Sequence, residues 1–119
     1  FTRGESREAV LKRMQKALQD ALNYYWARHQ HETLLKSPQE ALTLASIVEK
    51  ETRRGSERAH IASVYLNRLK QRMPLQACPT IIYGIFKQTG NMVDQLTNED
   101  LTIQSPFNTY VHVGLPPSP

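Results

Sequence analysis

Cysteine is almost missing from this chain. The single thiol, Cys78, rules out an intrachain disulfide and cannot by itself build a thiolate metal cage. Long apolar runs are missing too, since nowhere do the roughly 18 consecutive apolar residues of a membrane-spanning helix occur. The five glycines are scattered and form no phosphate-cradling loop. Histidine offers no ligand pair: His29 and His31 are two apart, His60 sits at a polar helix position and His112 lies in the last stretch. None has an i, i+4 partner, so neither a metal nor a cofactor is expected. The chain opens at Phe1 without the charged-then-apolar pattern of a secretion signal, and it reads as a piece of something longer.

What remains is an ordinary composition for one domain of 119 residues, long enough for a modest core. Fifteen Lys and Arg face eleven Asp and Glu, giving a net charge of +4 that favours an acidic partner. Nucleic acid, anionic lipid and acidic cell-wall peptides all satisfy that condition.

From Ala9 to about His29 the residues Val10, Leu11, Met14, Leu18, Leu22, Tyr25 and Trp26 recur at helical spacing, which predicts an amphipathic helix. Ser37-Pro38-Gln39-Glu40 predicts a second helix start, with Ser37 as cap, Pro38 in the first turn and Glu40 completing a capping box. That helix should run to about Arg53, with Gly55 as its left-handed terminator. Ser56 should then cap a third helix with Ile61, Val64, Tyr65 and Leu69 inward, ending before Pro74. Pro79 should open a short helix that Gly84 closes, and Thr97–Leu101 should form a capped turn. Thr109–Val113 has the β-branched and aromatic character of a short strand. The expected fold class is therefore mainly α with a small β element (α+β), in a single domain whose second half is irregular.

Chemistry concentrates in the second helix, Leu44-Ala45-Ser46-Ile47-Val48-Glu49-Lys50-Glu51-Thr52. Residues advance about 100° each along a helix, so Glu49 and Glu51 diverge by roughly 200° and cannot serve one site. Glu51 falls between Leu44 and Ile47 on the wheel, a slight preference over Glu49. A carboxyl group set against branched apolar side chains loses hydration and becomes a better proton donor near neutrality. The plainer reading is that a glutamate near a helix end faces water or pairs with Arg53, Arg54 or Arg58. Gln76, Thr80, Tyr83, Asn108 and Tyr110 bring amide, hydroxyl and aromatic groups into the irregular half, a set suited to a sugar chain. Turn chemistry and packing are the plainer reading there. Arg53, Arg54, Arg68, Lys70 and Arg72 form a basic run that reads as solvated surface.

Several stretches together resemble the MltG/YceG family of endolytic murein transglycosylases. These are Leu44–Thr52, Ser56-Glu57-Arg58, Ala62–Leu69, Met73–Gln76, Pro79–Gly84, Ser105–Tyr110 and Gly114–Pro117, spanning roughly residues 41–117. Residues 1–36 match only as a generic helix. The resemblance implies a lysozyme-like helical core and makes Glu51, second glutamate of Glu-Lys-Glu, the catalytic residue. Glu49, Glu57 and Asn67 become supporting residues. It also implies cleavage of the β-1,4 bond between N-acetylmuramic acid and N-acetylglucosamine without water, leaving 1,6-anhydro ends. Glycan strands of peptidoglycan are then the partner, with cell-wall synthases alongside and no nucleic acid. The implied location is the periplasmic face of the bacterial inner membrane, reached through an anchor outside this chain, as is the family's LysM-like module. The family usually carries an acidic residue where Cys78 stands.

Two rivals accompany this reading: a glycan-binding module without turnover, and a basic helical domain that binds nucleic acid or protein. A pyridoxal-phosphate lyase label attached to similar sequences fits poorly, because Lys50 falls about 180° from the apolar stripe.

Overall fold

The computed structural model describes residues 3–28 and 34–119. His29 and His31 therefore lie outside the described residues. The chain divides into two compact units, residues 1–32 and 33–119.

The first unit is built on one helix, α1 (Arg7–Arg28). The Ser6 hydroxyl accepts from the Ala9 amide at 3.1 Å, satisfying one of the free donors at its start. At the other end the Arg28 guanidinium lies 3.6 Å over the Tyr24 ring and donates to the Tyr24 carbonyl at 3.0 Å.

The second unit holds α2 (Pro38–Glu51), α3 (Gly55–Lys70), α4 (Cys78–Thr89) and a 3-10 turn at Asp100–Thr102. Ser37 caps α2 through the Glu40 amide at 3.2 Å. The Glu40 carboxylate accepts from the Lys36 amide at 2.6 Å, one residue before the partner a capping box would use. The helix stops at Glu51, two residues short of the expected end, because Thr52 takes an extended conformation and reorganises the junction. Its hydroxyl donates to Glu57 at 2.7 Å and accepts from the Arg54 amide at 3.0 Å. Gly55 consequently opens α3 instead of ending α2, and Arg54, not Ser56, occupies the cap position.

Helix α3 ends in a Schellman arrangement, with Met73 donating to the Arg68 carbonyl at 2.8 Å and Arg72 to Leu69 at 3.2 Å. Arg72 holds the left-handed position, φ 55°, that glycine usually fills. Helix α4 runs through Gly84 and is closed by Gly90 at φ 76°. Gly84 is buried inside the helix because a Cβ there would lie 2.7 Å from Ser105 Oγ: it is a contact point, not a terminator.

The core joins Leu44, Ile47 and Val48 of α2, Tyr65 of α3, and Leu75 and Ala77 of the following segment. Ile61, Ala62, Leu66, Leu69, Leu35 and Leu115 pack around it.

No strand exists among the described residues, so the α+β expectation and its short β segment are corrected to an all-helical fold with loops. Thr109–Val113 is a run of turns. The amides of Val111 and His112 both return to the Asn108 carbonyl, at 3.3 and 3.1 Å, so neither is available to a ladder. The β-like residue types there serve burial: Thr109 is 2 % exposed and bonds across to the α4 entry.

Candidate active site

Glu51 is the last residue of α2, one turn beyond the buried Ile47 and Val48. The helix therefore carries its side chain off the end of the core, where it is solvent-exposed. Of the two readings its sequence allows, burial against apolar side chains and exposure near the helix end, the structure has the second.

Its neighbours come from three other segments. Tyr65, on α3, is 6 % exposed, and its phenol is raised well above the ordinary value. Burial is the largest cause, followed by the charge of Glu51 and hydrogen bonding to it. Tyr110, on the loop after α4, approaches the Cys78 thiol at 3.4 Å. That hydrogen bond, then burial and the charges of Cys78 and Glu51, raise the Tyr110 phenol to about 12. Arg68 opposes both shifts, so its guanidinium faces the same cluster, and it lies 5.9 Å from the Tyr65 ring centre. The charge of Glu51 thus reaches two phenols, on which Cys78 and Arg68 also act.

Two residues predicted as sugar ligands are enclosed. Asn108 is 0 % exposed. Its amide donates to the carbonyls of Leu101 and Ile103 at 3.1 and 2.8 Å, and its carbonyl oxygen accepts from the Tyr110 amide at 2.9 Å. Thr80 is buried and shares a 2.8 Å hydroxyl contact with Thr109 while donating to the Ala77 carbonyl at 2.6 Å. Both hold the loop that presents Tyr110. Gln76 is exposed, with φ 55°, and its amide donates to the Thr109 carbonyl at 3.2 Å.

Tyr83 stands on a different surface. It packs edge-on against Phe107, ring centres 4.9 Å apart, and lines a cleft of about 570 Å³ with Ile47, Lys50, Phe86, Met92 and Asp94. Ile47 and Lys50 also belong to the last turns of α2, so the cleft adjoins the helix end that bears Glu51.

The proposed supporting residues divide similarly. Glu49 is paired with Arg58 at 2.9 Å, both side chains being about half exposed or more. Glu57 accepts from Thr52 and lies 3.6 Å from Arg54, holding the α2–α3 junction directly after Glu51. Asn67 is exposed near the end of α3, where its carbonyl accepts from the Gln71 amide at 3.0 Å.

Sequence reasoning passed over Tyr65 as core and Arg68 as solvated surface. Their signal was available in the i, i+3 spacing, which puts both on one face of α3.

An all-helical unit with one acid at a helix terminus, ringed by phenols and an arginine, has the makings of a proton-transfer site on a polyol substrate. The model of the YceG-like family matches residues 1–119, and the chain belongs to that family. Among its relatives is the protein named endolytic murein transglycosylase in Bacillus subtilis, 46% identical over 78 residues, 66% of this chain and 21% of the relative. A protein of the same name in Streptococcus pneumoniae strain R6 is 36% identical over 114 residues, 94% of this chain and 20% of the relative. The crystal structure of a YceG-like protein from Listeria monocytogenes superposes with a TM-score of 0.80 at 35% identity, over all of this chain and 37% of that one. The chain thus spans about a fifth of the length of the curated relatives it matches.

Proposed function

We propose that the protein bearing this chain is an endolytic murein transglycosylase, cutting the β-1,4 bond between N-acetylmuramic acid and N-acetylglucosamine without water. The observation that carries the reading is the exposed Glu51 carboxylate, with Tyr65, Arg68, Cys78 and Tyr110 as the groups that interact around it. Hydrolytic glycosidases use two carboxylates, one to protonate the leaving oxygen and one to attack or to activate water. In this cluster Glu49 cannot be the second, because it lies on another face of α2 and is paired with Arg58.

One carboxyl group suffices when the nucleophile belongs to the substrate. Glu51 gives its proton to the glycosidic oxygen as the bond to the muramic C1 breaks. The muramic C6 hydroxyl oxygen then bonds to C1, and its proton passes to the Glu51 carboxylate, restoring the acid. The product is a 1,6-anhydro end, and the intramolecular attack benefits from a nucleophile already held beside the reacting carbon. In this reading Gln76 and Tyr110 contact the sugars, while Thr80 and Asn108 hold the loop that carries Tyr110. Tyr83 and the adjoining cleft extend the contact surface.

The same reading assigns the protein to the cell wall, at the periplasmic face of the inner membrane, with an anchor outside this chain. It would end or release strands made by cell-wall synthases there, and co-purification with a synthase from cross-linked cells tests that partnership.

The reaction is tested by digesting purified glycan strands with the full-length protein and its Glu51→Gln form, reading products by mass spectrometry. Internal fragments with anhydro ends that vanish in the variant are expected. Fragments ending in hydrated reducing sugars would reveal a hydrolase, and retention of strands with no cleavage by the unmodified protein would reveal a binding module.

A further inference from the structure

Between the third and fourth helices the chain makes a turn that no cap or glycine explains. Leu75 and Ala77 are both 0 % exposed, and the residue between them, Gln76, is turned outward at φ 55°. A non-glycine residue adopts that left-handed conformation only when its flanks are held. On one flank the amides of Gln76 and Ala77 donate to the Thr109 carbonyl and hydroxyl, at 3.2 and 3.0 Å. On the other, Arg68 Nη1 donates to the Leu75 carbonyl at 2.5 Å. Arg68 is itself fixed by α3 and lies beside the ring of the buried Tyr65. Its charge also reaches Tyr65 and Tyr110.

We infer that Arg68 is a positioning residue for the glycan site: by fixing the Leu75 carbonyl it holds Gln76 outward, two residues before the Cys78 that meets Tyr110, where its amide meets the sugar. The inference rests on the transglycosylase reading. Arg68 touches no substrate. A lysine is a poor replacement, because its point charge lacks the planar fork that can lie beside Tyr65 while donating to a carbonyl.

The test measures binding of purified glycan strands to full-length protein carrying Glu51→Gln, so that turnover does not interfere. Arg68→Met and Gln76→Ala should each weaken binding about tenfold, and the double variant should be no weaker than either, because both remove one contact. In the Glu51-containing protein the two changes should raise KM by the same factor. Arg68→Lys, which conserves charge and bulk, should recover only part of the binding, and it replaces Arg68→Met in the cycle if that variant fails to fold. Independent losses that multiply to about a hundredfold would overturn the inference, as would undiminished binding in Arg68→Met. If the Glu51→Gln protein binds no strands at all, the transglycosylase reading falls and takes the inference with it.

Discussion

Two backbone positions in the second unit show how far a single residue constrains this fold. Gly84 touches the Ser105 loop so closely that a methyl group would sit 2.7 Å from Ser105 Oγ and 3.3 Å from its Cβ. Ser105 is 3 % exposed and its hydroxyl accepts from the Phe107 amide, so it has little room to yield. Gly84→Ala should therefore cost about 1–3 kcal/mol by overpacking, read as a lower midpoint in chemical denaturation. Arg72 presents the opposite case, a side chain in a left-handed position that glycine would hold without strain. Arg72→Gly should gain roughly 1 kcal/mol, and an unchanged or lower midpoint would contradict that account. The two shifted phenols make a third prediction at this scale. Both are raised above the ordinary value near 10, so the folded protein binds their protons more tightly than the unfolded chain does. Their contribution is complete below about pH 10 and is lost as pH rises through about 12 for Tyr110 and higher for Tyr65. Phenolate absorbance during alkaline titration should show two tyrosines ionising late, and Tyr110→Phe should remove one of them.

Among the elements, helices and several of their starts were legible, while the C-terminal ends of α2 and α4 were not. Ser37 and the apolar stripe of α2 announced that helix from sequence alone, since a capping hydroxyl and a 3.6-residue period act locally. Its end depended on Thr52 finding Glu57 five residues later, a contact that belongs to the junction and not to either helix pattern. Gly84 was misjudged for a related reason: its small size answers to Ser105, twenty-one positions away, and not to the course of its own helix. The same limit applies to the site. Wheel geometry favours Glu51 only slightly and the resemblance is what selects it, whereas Arg68 gains meaning only when Leu75 folds back to meet it. The loop carrying Tyr110 supplies an element-scale prediction. From a fully buried position Asn108 donates two hydrogen bonds to that loop and accepts one. Asn108→Ala should cost about 1–3 kcal/mol by leaving two half-buried carbonyls and the Tyr110 amide without their partner, and amide exchange should accelerate in residues 101–112 before it does in α2 or α3.

For the molecule as a whole, residues 33–119 contain their own apolar core, drawn from α2, α3 and the segment leading into α4. A protein consisting of residues 33–119 should therefore retain a cooperative helical melt by circular dichroism, and a broad, featureless transition would show that this core is insufficient. The surface ion pairs of this unit, Glu49–Arg58 and Glu57–Arg54, are too exposed to change that outcome, and raising the salt concentration should move the melt little.

The isolation of Cys78 has a practical side. The chain's one thiol is exposed and lies 3.4 Å from the Tyr110 hydroxyl, beside the carboxylate assigned the chemistry. Within these 119 residues a maleimide dye would therefore attach at a single known address, and its emission would report a sugar chain entering or leaving in real time.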